Sequence, residues 1–368
     1  MTASIGEGHD LPARLLADAI TASDDRAEVA IADGLRAMGR LLTAVAEDGS
    51  RAVFFRRQWA YDVTFALSVR FGPTHAVLRE ALGAVGSRGL GRLVERHRPH
   101  VVVSTYPVTT EVLGWMRRRG RLDVPAAAVI TDLASLRFWA ARGIDLHLVT
   151  HPESIAEVRR VAGDGTAVRV VRGLVAPDFY EPRSAAAARR ALGLPADGGV
   201  AVVSGGGWGV GDLDGALELI AGVPGVAVTV CLCGRNEGLR RRLEAAYRGR
   251  PGVRVQGFTE HMSEWLAAAD VLVHSTAGLT VLEAAMRGCP VISYGWNRGH
   301  IRLNNQAFAR FGLAAVAHDR QELRAQVARV IAAPRPRPPA ADAWPEASAE
   351  ILALAGARRG SGVAGGPG

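Results

Sequence analysis

The sequence predicts an α/β protein of two Rossmann-like parallel-sheet domains facing a cleft. Short apolar runs alternate with helical segments from about residue 101 to residue 330, as strands buried beneath helices on both faces require. The alternation breaks over 173–194, where Pro177, Pro182 and an alanine-arginine run stand, and then resumes as a second series. The length of 368 residues suits about two domains.

The elements follow in order. Gly6-Glu7-Gly8-His9 forms a turn, and the helix after it takes Asp10 as cap and Pro12 in its first turn. Only residues 1–5 precede that turn, so the first strand is expected to be short or missing. Strands are expected at 101–104, 126–130 (ending at Thr131-Asp132), 146–150 and 168–171, with helices at 108–118 and 152–162. In the second series, 200–203 leads into Ser204-Gly205-Gly206-Gly207 and a helix at 213–221. Next, 226–232 leads into Gly234-Arg235-Asn236 and a helix through Tyr247. The boundaries are 1–182, 183–333 and a proline-rich connector with a terminal helix and a disordered tail over 334–368.

The stretch 257–290 is the richest in chemistry. A strand ends in Gly257-Phe258-Thr259, a helix follows, and the buried strand 270–273 runs into Ser275-Thr276-Ala277-Gly278. That turn opens a helix carrying Leu279, Thr280 and Glu283, closed by Gly288 before Pro290. Backbone N–H groups and the positive dipole end at such a helix start seat a diphosphate, and Glu283 can reach a ribose. Thr280-x-x-Glu283 equally fits a capping box.

Composition narrows the classes. No run approaches the ~18 apolar residues that span a bilayer, and nothing at the start reads as a signal peptide, so a cytoplasmic location is expected. There is no lysine; all 44 basic residues are arginine, which excludes a Walker A lysine and a Schiff-base mechanism. The formal charge of +8 favours anionic partners. Cys231-x-Cys233 is read as pointing to opposite strand faces, so these two and Cys289 are expected to be structural thiols, with no metal site evident.

These motifs in this order resemble the GT-B glycosyltransferases, in the family shared by monogalactosyldiacylglycerol synthases, processive diacylglycerol glucosyltransferases and the peptidoglycan N-acetylglucosaminyltransferase MurG. The resemblance covers roughly residues 1–330. It rests on Gly6-Glu7-Gly8-His9, Thr131-Asp132 with Trp139, Ser204 to Gly209, Cys233 to Asn236, Gly257-Phe258-Thr259, and Gly278-Leu279-Thr280 with Glu283. It implies inverting transfer of a hexose from a UDP-sugar to a lipid such as diacylglycerol, with the acceptor bound by the first domain and the donor by the second.

In that pattern His9 is the base and Asp132 orients it or replaces it, with Gly8 on the acceptor side. Donor contacts fall to Gly206, Gly207, Arg235, Asn236, Phe258, Thr259, Thr276, Gly278, Leu279, Thr280, Glu283 and Asn304. Arginine beside a helix N-terminus can offset the charge of departing UDP, so no cofactor is expected. The chain departs from the pattern at Ser275 to Gly278, at Trp296 to His300, and at Leu136, where a histidine is customary.

Phe55, Arg56, Arg57 and Trp59 mix aromatics with arginines and are expected to meet an anionic membrane surface, placing the protein on the inner face of the cell membrane. A core of aromatics beneath a solvated arginine face is the alternative. No nucleic-acid motif is present. The rival functions are a catalytically silent GT-B protein binding nucleotide or lipid, and a UDP-sugar 2-epimerase.

Overall fold

A computed structural model describes residues 1–3, 7–40, 42–46, 72–275, 278–295, 298–338 and 343–361. The chain divides into two compact units. The first comprises Met1–Leu174, Arg298–His300 and Asp342–Gly368; the second comprises Val175–Asn297 and Ile301–Ala341.

The first unit holds helices α1 (Glu7–Ser23), α2 (Gly34–Ala37) and α3 (Gly72–His97), then β1 (Val102–Ser104), α4 (Pro107–Arg118), β2 (Ala126–Ile130), β3 (Leu146–Val149), α5 (Ile155–Ala162) and β4 (Val168–Val170). The strands form a parallel sheet in the order β1-β2-β3-β4. The short first strand is a stub beside β1. The Met1 nitrogen donates to Val103 O at 2.6 Å, Thr105 N–H donates to Met1 O, and Thr2 bridges Asp33 in parallel. Residues 1–3 thus lie between Asp33 and β1, and the connections leave in opposite directions across that line. This is the switch point of the sheet, where open α/β sheets bind ligands.

Alternation along β2 explains the layers. Ala126 and Ala128 face one way, against Leu113 and Met116 of α4 and Leu90 of α3. Ala127 and Val129 face the other, against Leu16 and Ile20 of α1 and Ile351 of the final helix. Burying each such Leu or Ile is worth about 1.5–3 kcal/mol. The terminal helix therefore belongs to the first unit rather than to a separate connector. Arg172 N–H donates to Pro345 O at 2.8 Å, and Ser23 Oγ meets Ser348 Oγ at 3.4 Å.

Glycines on α3 permit its close approach to its neighbours. A Cβ at Gly83 would lie 2.4 Å from the Trp115 ring, one at Gly86 2.7 Å from Met38 Sδ, and one at Gly89 1.8 Å from Ala37 O. The helix α1 begins at Glu7, earlier than expected, so Asp10 and Pro12 lie inside it.

The second unit contains α6 (Ala185–Ala191), β5 (Gly199–Ser204), α7 (Leu213–Ile220), β6 (Val226–Leu232), α8 (Glu237–Ala246), β7 (Val253–Gln256), α9 (Met262–Ala268), β8 (Val271–His274), α10 (Leu279–Met286), β9 (Val291–Ser293), α11 (Gly299–Arg310, in this unit from Ile301 onward), β10 (Ala315–Val316) and α12 (Arg320–Ala332). The helix α13 (Ala347–Ser361) closes the described chain. Six parallel strands run in the order β10-β9-β8-β5-β6-β7, so the switch point falls between β5 and β8. Arg189, 8% exposed, ties α6 down by donating to Ala268, Ala196 and Gly198 carbonyls and to Asp270 Oδ2 at 2.6 Å.

Cys231 and Cys233 correct the sequence reading. Residues two apart on a strand share a face, and the two sulfurs lie 3.9 Å apart, fully buried in the core of the second unit.

Candidate functional site

His9 sits at the switch point of the first unit because α1 follows the stub strand and Thr105 follows β1. Its Nδ1 is 3.2 Å from Thr105 O, and Thr105 Oγ1 donates back to His9 O at 3.0 Å. A carbonyl oxygen only accepts, so Nδ1 carries the proton and Nε2 presents a lone pair. The ring packs edge-on against Tyr106, centroids 5.0 Å apart, and tilted against Trp139 at 5.5 Å.

Burial lowers the His9 pKa to about 4; the fields of Asp132 and the Thr105 carbonyl oppose this, and His300 adds to it. His9 is therefore neutral near pH 7. Asp132, at the end of β2, accepts a hydrogen bond from Trp139 Nε1 at 3.0 Å, which orients its carboxylate. Thr2 Oγ1 donates to Asp10 Oδ1 at 2.8 Å and steadies the start of α1 beside the site. Gly8 is exposed next to His9.

In the second unit the loops at the C-terminal strand ends converge on the β5/β8 switch point. Gly211, at φ +106°, comes so close to Ser275 that a Cβ there would lie 2.2 Å from its Oγ; only glycine fits. Gly206, also at positive φ, and Gly207 form a turn after β5, and Arg235 N–H donates to Gly207 O at 2.8 Å. The Arg235 guanidinium lies 4.0 Å above the Phe258 ring, which is 44% exposed. Gly206, Gly207, Arg235 and Phe258 are thus brought together.

Other expected donor residues sit in local hydrogen-bonded or buried settings. Asn236 caps α8, its Oδ1 accepting Leu239 N–H at 3.0 Å. Thr259 Oγ1 accepts His261 N–H at 3.0 Å within the turn after β7. Asn304 is fully buried in α11, beside Asn305, whose Oδ1 accepts from Ser293 Oγ at 2.8 Å.

The helix α10 starts at Leu279 with Gly278 as its N-cap at φ +102°. Thr280 and Glu283 are therefore both inside the helix, and the capping-box alternative does not hold, since that box needs Thr280 at the cap. Glu283 is 8% exposed, and burial, with the field of Asp178, raises its pKa to about 7. A carboxyl so placed gains from hydroxyl donors. Thr276, Phe55, Arg56, Arg57 and Trp59 lie outside the described residues.

Sequence reasoning missed Thr105 and Tyr106 around His9, because a backbone carbonyl leaves no signature in residue type. It also missed His274, 1% exposed, whose Nδ1 meets Ser204 O at 3.0 Å and locks β8 to β5 at the switch point. Burial holds His274 at about pKa 4. Among the described residues no group of His, Cys, Asp or Glu has the arrangement of a metal site, and no helix is long and apolar enough to cross a membrane.

Comparison with known proteins agrees with this geometry. Residues 9–174 match the family model of monogalactosyldiacylglycerol (MGDG) synthase, starting at His9, and residues 208–333 match glycosyl transferases group 1. The processive diacylglycerol beta-glucosyltransferase of Bacillus subtilis is 26% identical over 252 residues, 67% of this chain. The match spans 65% of that protein's own length, so this chain covers under two thirds of that relative.

Among solved structures, a UGT transferase from Siraitia grosvenorii in complex with UDP is 12% identical with a TM-score of 0.56, covering 98% of this chain and 94% of that one. The glycosyltransferase SnogD from Streptomyces nogalater is 18% identical with a TM-score of 0.52, covering 96% and 98%. At these identities the likeness is one of fold. With one family model over each sheet and this fold beneath both, the chain is a glycosyltransferase of GT-B fold, its first unit similar to the monogalactosyldiacylglycerol synthases and its second to the group 1 glycosyl transferases.

Proposed function

We propose that this protein is an inverting glycosyltransferase that moves a hexose from a UDP-sugar to the hydroxyl of a lipid such as diacylglycerol at a membrane surface. The observation that carries the reading is the tautomer of His9. With Nδ1–H held by the Thr105 carbonyl, Nε2 is the free lone pair, neutral near pH 7, that a general base requires. The acceptor oxygen attacks the anomeric carbon as its proton passes to Nε2, and the bond from that carbon to the β-phosphate oxygen breaks with release of UDP. Asp132 stabilises the imidazolium as it forms.

On the donor side, Arg235 and the N-terminus of α10 offset the charge gathering on the diphosphate, and Glu283 accepts from the ribose hydroxyls. The name of the Bacillus subtilis relative, a diacylglycerol beta-glucosyltransferase, supports the acceptor class.

The test is His9→Ala, read by transfer from UDP-glucose and UDP-galactose to diacylglycerol and by thermal stabilisation with UDP. Transfer is expected to fall by about 10²–10⁴-fold while the UDP shift stays near that of the unaltered protein. Loss of UDP binding would contradict the base role. A chain without UDP stabilisation in either form would instead be a catalytically silent member of the fold.

A further inference from the structure

We propose that Ser154 and Glu157, at the start of α5, are positioning residues for transfer: they pin the loop that aims Asp132 at His9. The proposal rests on the reading of His9 as the base. Neither residue touches the reacting atoms; both act through residues 133–139.

Ser154-Ile155-Ala156-Glu157 has the sequence of a capping box. In that motif the serine hydroxyl accepts from the third helical N–H and the glutamate reaches back to the serine N–H. Neither bond forms here. The chain enters α5 through a 3-10 turn, Pro152–Ser154, so Ser154 is already helical and its N–H donates to His151 O at 3.0 Å. Both side chains are thereby released from the helix end, and both turn to the same loop. Ser154 Oγ donates to Leu133 O at 3.0 Å, and Glu157 Oε1 accepts from Leu136 N–H at 3.1 Å. Ser154 is fully buried, so its bond does not compete with water.

Between the two pins lies Ser135, held at φ +68°. A left-handed backbone is costly for a residue with a Cβ, and a local bond from a short polar side chain is its usual compensation. The Ser135 hydroxyl has no hydrogen-bond partner among the described residues, so nothing local stabilises the turn. Strain of this kind persists where the surroundings over-determine the backbone, and it gathers at functional sites. Here the surroundings are the bonds at Leu133 and Leu136, together with the packing of Leu136 and Trp139 in one core with Val158 of α5.

The strained turn sets a direction. Leu136 O accepts from Ala140 N–H at 2.8 Å, and the turn so closed carries Trp139. The indole, 4% exposed, donates to Asp132 Oδ2 at 3.0 Å and lies tilted against the His9 ring, centroids 5.5 Å apart. The carboxylate, the donor that fixes it and the base are thus tied to α5 through two side-chain bonds. A charge supports a forming imidazolium only from a fixed place, and a small misplacement costs rate rather than binding.

The experiment uses the full chain and transfer from UDP-glucose to diacylglycerol. The variants are Glu157→Ala and Glu157→Gln, and Glu157→Ala combined with Asp132→Asn. A second readout is the indole ¹H–¹⁵N signal of Trp139, identified by its loss in Trp139→Phe. Glu157→Ala should lower kcat about tenfold with KM little changed. Glu157→Gln keeps an oxygen for Leu136 N–H and should retain most of the rate; the exposed contact with Arg160 at 3.4 Å, which it weakens, contributes little. The double variant should lose no more than Asp132→Asn alone, because one residue acts through the other. The indole signal should move in the alanine variant and stay in the glutamine one.

An unchanged kcat in Glu157→Ala, losses that multiply in the double variant, or an indole signal that stays in place overturns the proposal. The indole signal reads the tether without any transfer assay. A failure of the base reading, seen as transfer retained by His9→Ala, is therefore told apart from a failure of this one.

Discussion

Replacing Glu283 with glutamine is expected to stabilise the unliganded protein at pH 8 while weakening its hold on UDP. Glu283 is 8% exposed inside α10, and burial, then the negative field of Asp178, raises its carboxyl pKa from 4.5 to about 7. Below pH 4.5 the group is protonated in both folded and unfolded chains and costs nothing. As pH rises from 4.5 to 7 the unfolded chain releases the proton that the folded chain keeps, so stability falls. Above 7 the whole cost is present, on the order of 3 kcal/mol at about 1.36 kcal/mol per pH unit.

Glutamine keeps the shape and removes the charge, so the gain at pH 8 should be on the order of 1–3 kcal/mol and near zero at pH 4. A neutral amide accepts from ribose hydroxyls less strongly than a carboxylate, which should raise the Kd for UDP by about five- to tenfold. Urea unfolding at pH 4 and pH 8, with UDP titration at pH 8, reads both effects. A glutamine variant that is less stable at pH 8, or that binds UDP as before, refutes the assignment of Glu283 to the nucleotide.

Three further outcomes follow from the same geometry. Asp132→Asn keeps an acceptor for Trp139 Nε1 but removes the charge that supports the His9 imidazolium. The rate constant kcat should fall by about 10²-fold with KM little changed, and the acid limb of kcat/KM, expected at about 4 in the unaltered enzyme, should move lower. Gly89→Ala would put a methyl 1.8 Å from Ala37 O; overpacking of about 1–3 kcal/mol or more should appear in thermal unfolding. Arg189→Ala leaves Asp270 without its ion pair and three carbonyls without a donor, so unfolding experiments should record a loss of about 3–5 kcal/mol.

The strand–turn–helix alternation was legible because strands buried on both faces must be apolar throughout. β2, β6 and β9 accordingly fall where those runs stand. The motif residues were legible for a related reason: a diphosphate seat needs glycine at close approaches and a histidine base is a rare residue type.

Contacts made across the fold were not legible. The 26-residue helix α3 has glycines at 83, 86, 89 and 91, poor helix formers that become favourable only because α2 and α4 pack into the space they leave. Asn236 was singled out for its place after β6; that its side chain caps α8 was a further role the motif did not reveal.

The sequence by itself determined the two parallel-sheet units, their strand order in the chain and which residue types stand at the strand ends. Only the tertiary structure decided the protonated nitrogen of His9, the buried state of Glu283 and the return of α13 to the first unit. Local pattern depends on neighbours in the chain, whereas a tautomer, a pKa and a docking partner depend on neighbours in space.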